Sequence, residues 1–141
     1  MRRRLKLGTV FLWMLGLCLQ MFGSGGEISH EILIKKNPVS SSSSVLAKAK
    51  SNFEDNCTPC HGDQGKGDGA LADSLNKRPK DLTSAKEVAG LTDGEIFWTI
   101  TKGRDPMPAF EQKLTDEERW GLVHLLRSIS KTKPNTTPHQ P

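Results

Sequence analysis

Cys57-Thr58-Pro59-Cys60-His61 is the stretch on which the reading of this chain turns. Two thiols stand two residues apart and an imidazole follows at once. A haem carries two vinyl groups on neighbouring pyrroles along one edge. Thiols at this spacing on a helix end each reach one vinyl and close a thioether. The next residue falls beneath the ring, where an imidazole nitrogen meets the iron. C-x-x-C-H is therefore the pattern of c-type haem attachment. Three other chemistries use similar pieces. A thioredoxin-like redox pair expects a βαβ context, and no such pattern surrounds this one. A zinc site built on Cys57, Cys60 and His61 needs a fourth ligand and usually a second ligand pair. The remaining histidines, His30, His124 and His139, lack that spacing. A disulfide across so short a loop is sterically poor. The expected cofactor is one covalent haem c, with His61 as an iron ligand.

Iron in a porphyrin has a second axial position. Of the four methionines, Met1, Met14 and Met21 precede residue 27, which leaves Met107 in the body of the chain. It stands between Pro106 and Pro108, in a loop those rings stiffen. Met107 is the expected sixth ligand, and the plain alternative is a methionine filling a gap in the core. His124 is a weaker candidate, because it lies off the apolar stripe of its helix and reads as part of a solvated face.

Outward from these residues the chain divides into four parts. Residues 1–26 read as a signal peptide: a charged start from Met1 to Lys6, an apolar run from Leu7 to Phe22, then Gly23, Ser24, Gly25 and Gly26. The run is short for a membrane-spanning helix, so a short uncleaved anchor is the alternative. Cys18 fits a lipidation site poorly, because Leu17 precedes it. Residues 27–44 read as a Ser-rich linker or strap, with Ile28, Ile32, Leu33 and Ile34 ahead of five serines at 40–44. Residues 45–131 form the domain, and 132–141, with three prolines, a disordered tail.

Composition agrees. With 141 residues the chain makes one domain plus tails, and at 35 % hydrophobic its core supply is thin. The formal charge of +4 comes from Arg2, Arg3, Arg4 and Lys6, since from residue 27 onward sixteen Lys and Arg meet sixteen Asp and Glu. The clustered basic footprint of a nucleic-acid binder is missing, so no nucleic-acid role is expected.

Helical periodicity appears three times. Val45, Leu46, Ala49 and Phe53 lead up to Cys57. Ile96, Phe97 and Ile100 follow Thr92-Asp93-Gly94-Glu95, and Gly103 stops that helix. Thr115-Asp116-Glu117-Glu118 is a capping box opening a helix striped by Leu122, Leu125, Leu126 and Ile129. The glycines at 62, 65, 67 and 69 mark a loop, and no alternating strand pattern appears. The expectation is an all-α domain.

Taken in order, these motifs resemble a class I cytochrome c of the bacterial monohaem type over about Val45 to Lys131. The resemblance rests on Phe53, Cys57-x-x-Cys60-His61-Gly62, Gly65-x-Gly67-Asp68-Gly69 and Pro79-Lys80-Asp81-Leu82. It continues through Glu95-Ile96-Phe97-Trp98, Met107-Pro108-Ala109-Phe110 and Leu114-Thr115-Asp116-Glu117-Glu118. It implies a small cytochrome c fold, three main helices wrapped around one haem. It further implies that the Pro79 carbonyl bonds the second nitrogen of His61, that Phe97 and Trp98 line the haem, and that the first and last helices cross near Phe53 and Trp120. Leu125 stands where an aromatic is usual. The implied function is one-electron transfer between redox partner proteins, in the periplasm or otherwise exported, with a membrane tether if the N-terminus is retained. The alternatives are a haem subunit of a larger oxidoreductase and, further off, a haem ligand sensor with an open sixth site.

Overall fold

A computed structural model of the chain describes residues 28–133 and Thr137. Residues 1–26, read above as a signal peptide, and most of the stretch 132–141, read as a tail, lie outside the described residues.

Three long helices carry the domain: α2 (Ser43–Asn56), α5 (Asp93–Lys102) and α6 (Asp116–Ser130). Single helical turns join them, α1 (His30–Leu33), α3 (Thr58–His61) and α4 (Ala85–Val88), with a 3-10 turn at Ala72–Ser74. Among the described residues there is no strand, only an isolated bridge between Arg104 and Met107. The architecture is the all-α cytochrome c arrangement that the motif series implies.

Each long helix starts on a side chain that satisfies an otherwise unpaired backbone N–H. The Ser42 hydroxyl accepts from Val45 N at 3.2 Å at the head of α2. Complete capping boxes open α5 (Thr92 with Glu95) and α6 (Thr115 with Glu118). Gly103 closes α5 at φ 72, where a side chain would be strained.

α2 and α6 cross where small residues let the backbones approach. A Cβ on Gly121 would stand 3.4 Å from Val45 Cγ1 and 3.6 Å from Ala49 Cβ. Trp120 beside it is buried and stacks on Phe97 of α5 at 4.1 Å between centroids. The α6 stripe is rotated from the one the leucines suggest. Leu122, Val123 and Leu126 are buried, whereas Leu125 and Ile129 only border the core.

The same face of α6 buries two arginines. Arg127 Nε donates to Asp93 Oδ1 at 2.9 Å, and its other nitrogens reach the carbonyls of Val88 and Leu91. One guanidinium thus ties α6 to the α4–α5 turn. Arg119 donates to Leu114 O at 2.9 Å and lies over the Phe97 ring.

Residues 28–41 run along the outside of α5 and α6 and are pinned there. Asn37 Nδ2 donates to Trp120 O at 3.0 Å. His124 Nε2 lies 2.6 Å from Val39 O. This corrects the solvated reading of His124: it is half-buried and holds the strap, an arrangement only tertiary structure could reveal.

Candidate functional site

The haem motif sits at a helix junction. Cys57 ends α2, its N–H bonded to Phe53 O at 2.8 Å, and its own carbonyl receives His61 N at 2.8 Å. Pro59 sits in the first turn of α3, where a missing N–H costs nothing. The glycine loop then folds back over the motif, with Gly67 N on His61 O at 2.8 Å and Gly69 N on Cys60 O at 3.1 Å. Gly67 has φ 75, and a Cβ there would strike the Pro79 carbonyl at 2.3 Å. That close approach requires glycine.

The same region brings a correction. Pro79 O lies against Gly67 and does not bond His61. The imidazole Nδ1 instead meets Lys80 O at 3.2 Å, one residue further along. The role implied for Pro79 falls to the Lys80 backbone, and Pro79 keeps a place in the cavity wall. With Nδ1 donating to Lys80, Nε2 is left as the ring's free lone pair. Burial lowers the imidazole pKa and the Lys80 bond partly offsets it, so the ring stays neutral and able to ligate at neutral pH.

Cys57, Cys60, His61 and Met107 border one cavity of about 250 Å³ that opens to solvent. Its wall is mainly aliphatic and aromatic: Phe53, Leu82, Val88, Ile96, Ile100 and Leu122 are among its members. Met107 is held by a tight two-residue bridge, with Arg104 N on Met107 O at 2.9 Å and Met107 N on Arg104 O at 2.7 Å. The Asp105–Pro106 peptide within it is cis.

Phe97 and Trp98 do not border the cavity. Ile96, Thr99 and Ile100 do, because a helix presents positions three and four apart on one face. Phe97 is turned toward α6, where it stacks on Trp120. Residues the sequence reading missed include Glu95 and Ile28, both in the wall. The pattern Thr92-x-x-Glu95 carries a capping signal but nothing that places its carboxylate beside a cavity.

The chemistry of the thiols narrows what the site does. Burial, then the neighbouring Cys60, pushes the Cys57 thiol up to about 11, against a small opposing pull from Lys113. A thiol redox catalyst needs the reverse, a thiol made acidic. Both cysteines are free, and among the described residues no group of three or more His, Cys, Asp or Glu is arranged around a metal position.

Protein interiors are normally close-packed, and a hollow of this size at the centre of a small domain calls for a large apolar occupant. A haem fits: it is flat and apolar, the cavity wall matches it, and two free thiols and a neutral imidazole lie on one side chain cluster. Fold and site define a c-type cytochrome domain, whose cofactor is covalently bound haem c.

Comparison with known proteins agrees. The chain belongs to the family described as "Cytochrome C oxidase, cbb3-type, subunit III", whose model matches residues 44–126, more than half of the chain. It is 27 % identical over 109 residues to the cbb3-type cytochrome c oxidase subunit CcoP of Azospirillum brasilense. That match takes in 72 % of this chain but 36 % of the relative, so the chain spans about a third of its length. Among solved structures, the Kuenenia stuttgartiensis reducing HAO-like protein complex Kustc0457/Kustc0458 contains a similar chain. The similarity is 30 % identity at a TM-score of 0.60, over 65 % of this chain and 46 % of that one. The KustC0563 c-type cytochrome is 28 % identical at a TM-score of 0.52, over 60 % of this chain and 98 % of its own. The domain is an electron-transfer module.

Proposed function

We propose that the chain is an exported one-electron carrier holding a single haem c, with Cys57 and Cys60 as thioether residues and His61 and Met107 as axial ligands. The observation that carries this reading is the convergence of those four side chains, from two distant segments, on one apolar cavity. A bound haem supplies a reversible one-electron Fe(III)/Fe(II) couple. The chain's own residues do the rest. Lys80 O orients the imidazole, and the bridge to Arg104 with Pro106 and Pro108 holds the thioether in place. A soft thioether favours the reduced state and gives a relatively high potential. Two protein ligands leave no position for a substrate, which suits a carrier rather than an enzyme.

Export to the periplasm, or to the outer face of a membrane if the N-terminus stays attached, follows from the signal-like residues 1–26. Among the described residues no helix is long and apolar enough to cross a membrane. In this reading 27–44 is a strap, 45–131 the haem domain and 132–141 a tail. The partners are redox proteins that donate and accept single electrons, with no nucleic acid involved. A second reading, a haem subunit of a larger oxidoreductase, is favoured by the likeness to an oxidase subunit and to a chain of a multiprotein complex. Native purification separates the two: a carrier travels alone, and a subunit co-purifies in fixed stoichiometry.

Met107→Ala tests the ligand set. The variant keeps its covalent haem, loses the weak long-wavelength ferric absorption of the sulfur–iron bond, falls in potential and gains carbon monoxide binding. Met107→His restores six-coordination at a lower potential. A Met107→Ala protein with the parent's ferric spectrum and potential would contradict the assignment.

A further inference from the structure

Glu95 is a buried carboxylate, 7 % exposed, in the wall of the cavity that holds Cys57 and His61. Its one visible structural task is the capping box of α5, where Oε2 accepts the Thr92 N–H. That task needs a side-chain acceptor, which glutamine also supplies. Its neighbours Asp93 and Glu87 have cations of their own. Asp93 is paired with Arg127 at 2.9 Å, and Glu87 with Lys80 at 3.0 Å. Glu95 is in no ion pair among the described residues. The strap covers this end of α5. A Cβ on Gly94 would stand 1.7 Å from Ile32 O, so only glycine admits the strap, and Ile28 at its start joins the same cavity wall. Glu95 is thus a buried acid of the cavity wall that no cation meets among the described residues.

Burying a charge is costly unless something repays it. Resting on the haem reading above, we propose that Glu95 is a potential-setting residue: its carboxylate is a fixed negative charge in the cavity wall that favours the oxidised, more positive iron. It acts through space, as a positioning residue for charge, and takes no part in ligation. The site therefore has a lower reduction potential than the same two ligands would give within a neutral wall.

The test uses the full haem-loaded chain. Glu95→Gln keeps the cap and removes the charge. Its reduced-to-oxidised ratio against a one-electron mediator should rise roughly three- to tenfold, about 30 to 60 mV at 59 mV per tenfold. The ferric sulfur–iron absorption should be unchanged. The shift should persist at high salt, because buried charges are little screened, whereas any shift in Lys77→Gln, on the exposed rim, should fade. Glu95→Asp retains the charge and should stay near the parent's potential. The proposal is overturned by an unchanged or lowered potential in Glu95→Gln, by an equal shift in Glu95→Asp, or by loss of the holo fold in Glu95→Gln. Failure of the haem reading would show separately and earlier, as a parent protein from which haem is extracted after denaturation.

Discussion

Arg127 and Asp93 form an ion pair in which both side chains are less than a tenth exposed. Removing such a group strips a buried carboxylate of its counter-charge and leaves the carbonyls of Val88 and Leu91 without donors. Arg127→Ala should destabilise the haem-loaded protein by about 3–5 kcal/mol in denaturant unfolding. Arg127→Met with Asp93→Asn should recover much of that loss, since no charge is then left buried alone. If the single variant unfolds at the parent's midpoint, the pair is no brace. The residues that bear on the cofactor behave differently. Cys57, Cys60, His61 and Met107, the proposed attachment and ligand residues, stand out in the sequence by their own chemistry. Glu95 is not so marked: a glutamate at the third position of a helix reads as a cap whether or not a cavity lies beside it.

Helices α5 and α6 show what a sequence reveals at the scale of elements. Both start on Ser/Thr-x-x-Glu patterns, and both boxes are made in the fold, because capping is satisfied within four residues. Which face then turns inward is decided by neighbours, and there local periodicity misleads. Leu125 and Ile129 advertise a stripe, yet Arg119 and Arg127 take buried places because carbonyls and acids from other segments meet them. The Pro79–Lys80 exchange is of the same kind: which of two adjacent carbonyls meets His61 is set by how distant segments come together. At the head of α6, Thr115→Ala should cost about 1 kcal/mol of unfolding free energy. The box also predicts a pH dependence. The Thr115 N–H, helped by its hydroxyl and by Lys48, holds the Glu118 carboxyl below its ordinary value of 4.5. A depressed folded-state pKa means the stabilisation is complete above the ordinary value and is lost as pH falls through the folded one. Glu118→Gln should therefore unfold more easily than the parent at pH 7, and the gap should close in acid below about pH 4. A gap that widens on acidification would reverse the sign of this argument.

On the scale of the whole molecule the fold is a wrapping without a filling of its own. The helices pack well where α2 crosses α6, but the wall formed by Phe53, Ile96, Ile100 and Leu126 faces a cavity instead of another layer of side chains. A domain of this size has little stability in reserve, and its missing centre is the group that C-x-x-C-H attaches. The chain without cofactor should lack a cooperative unfolding transition, as circular dichroism during heating would reveal. Attachment itself is the claim on which everything else stands, and one measurement reaches it directly. The haem-loaded protein is denatured and extracted with acidified organic solvent, alongside a Cys57→Ala, Cys60→Ala double variant. The predicted result is haem that stays with the parent polypeptide and leaves the double variant. Haem that passes freely into the solvent from the parent would contradict covalent attachment, and with it the reading of this chain as a c-type electron carrier.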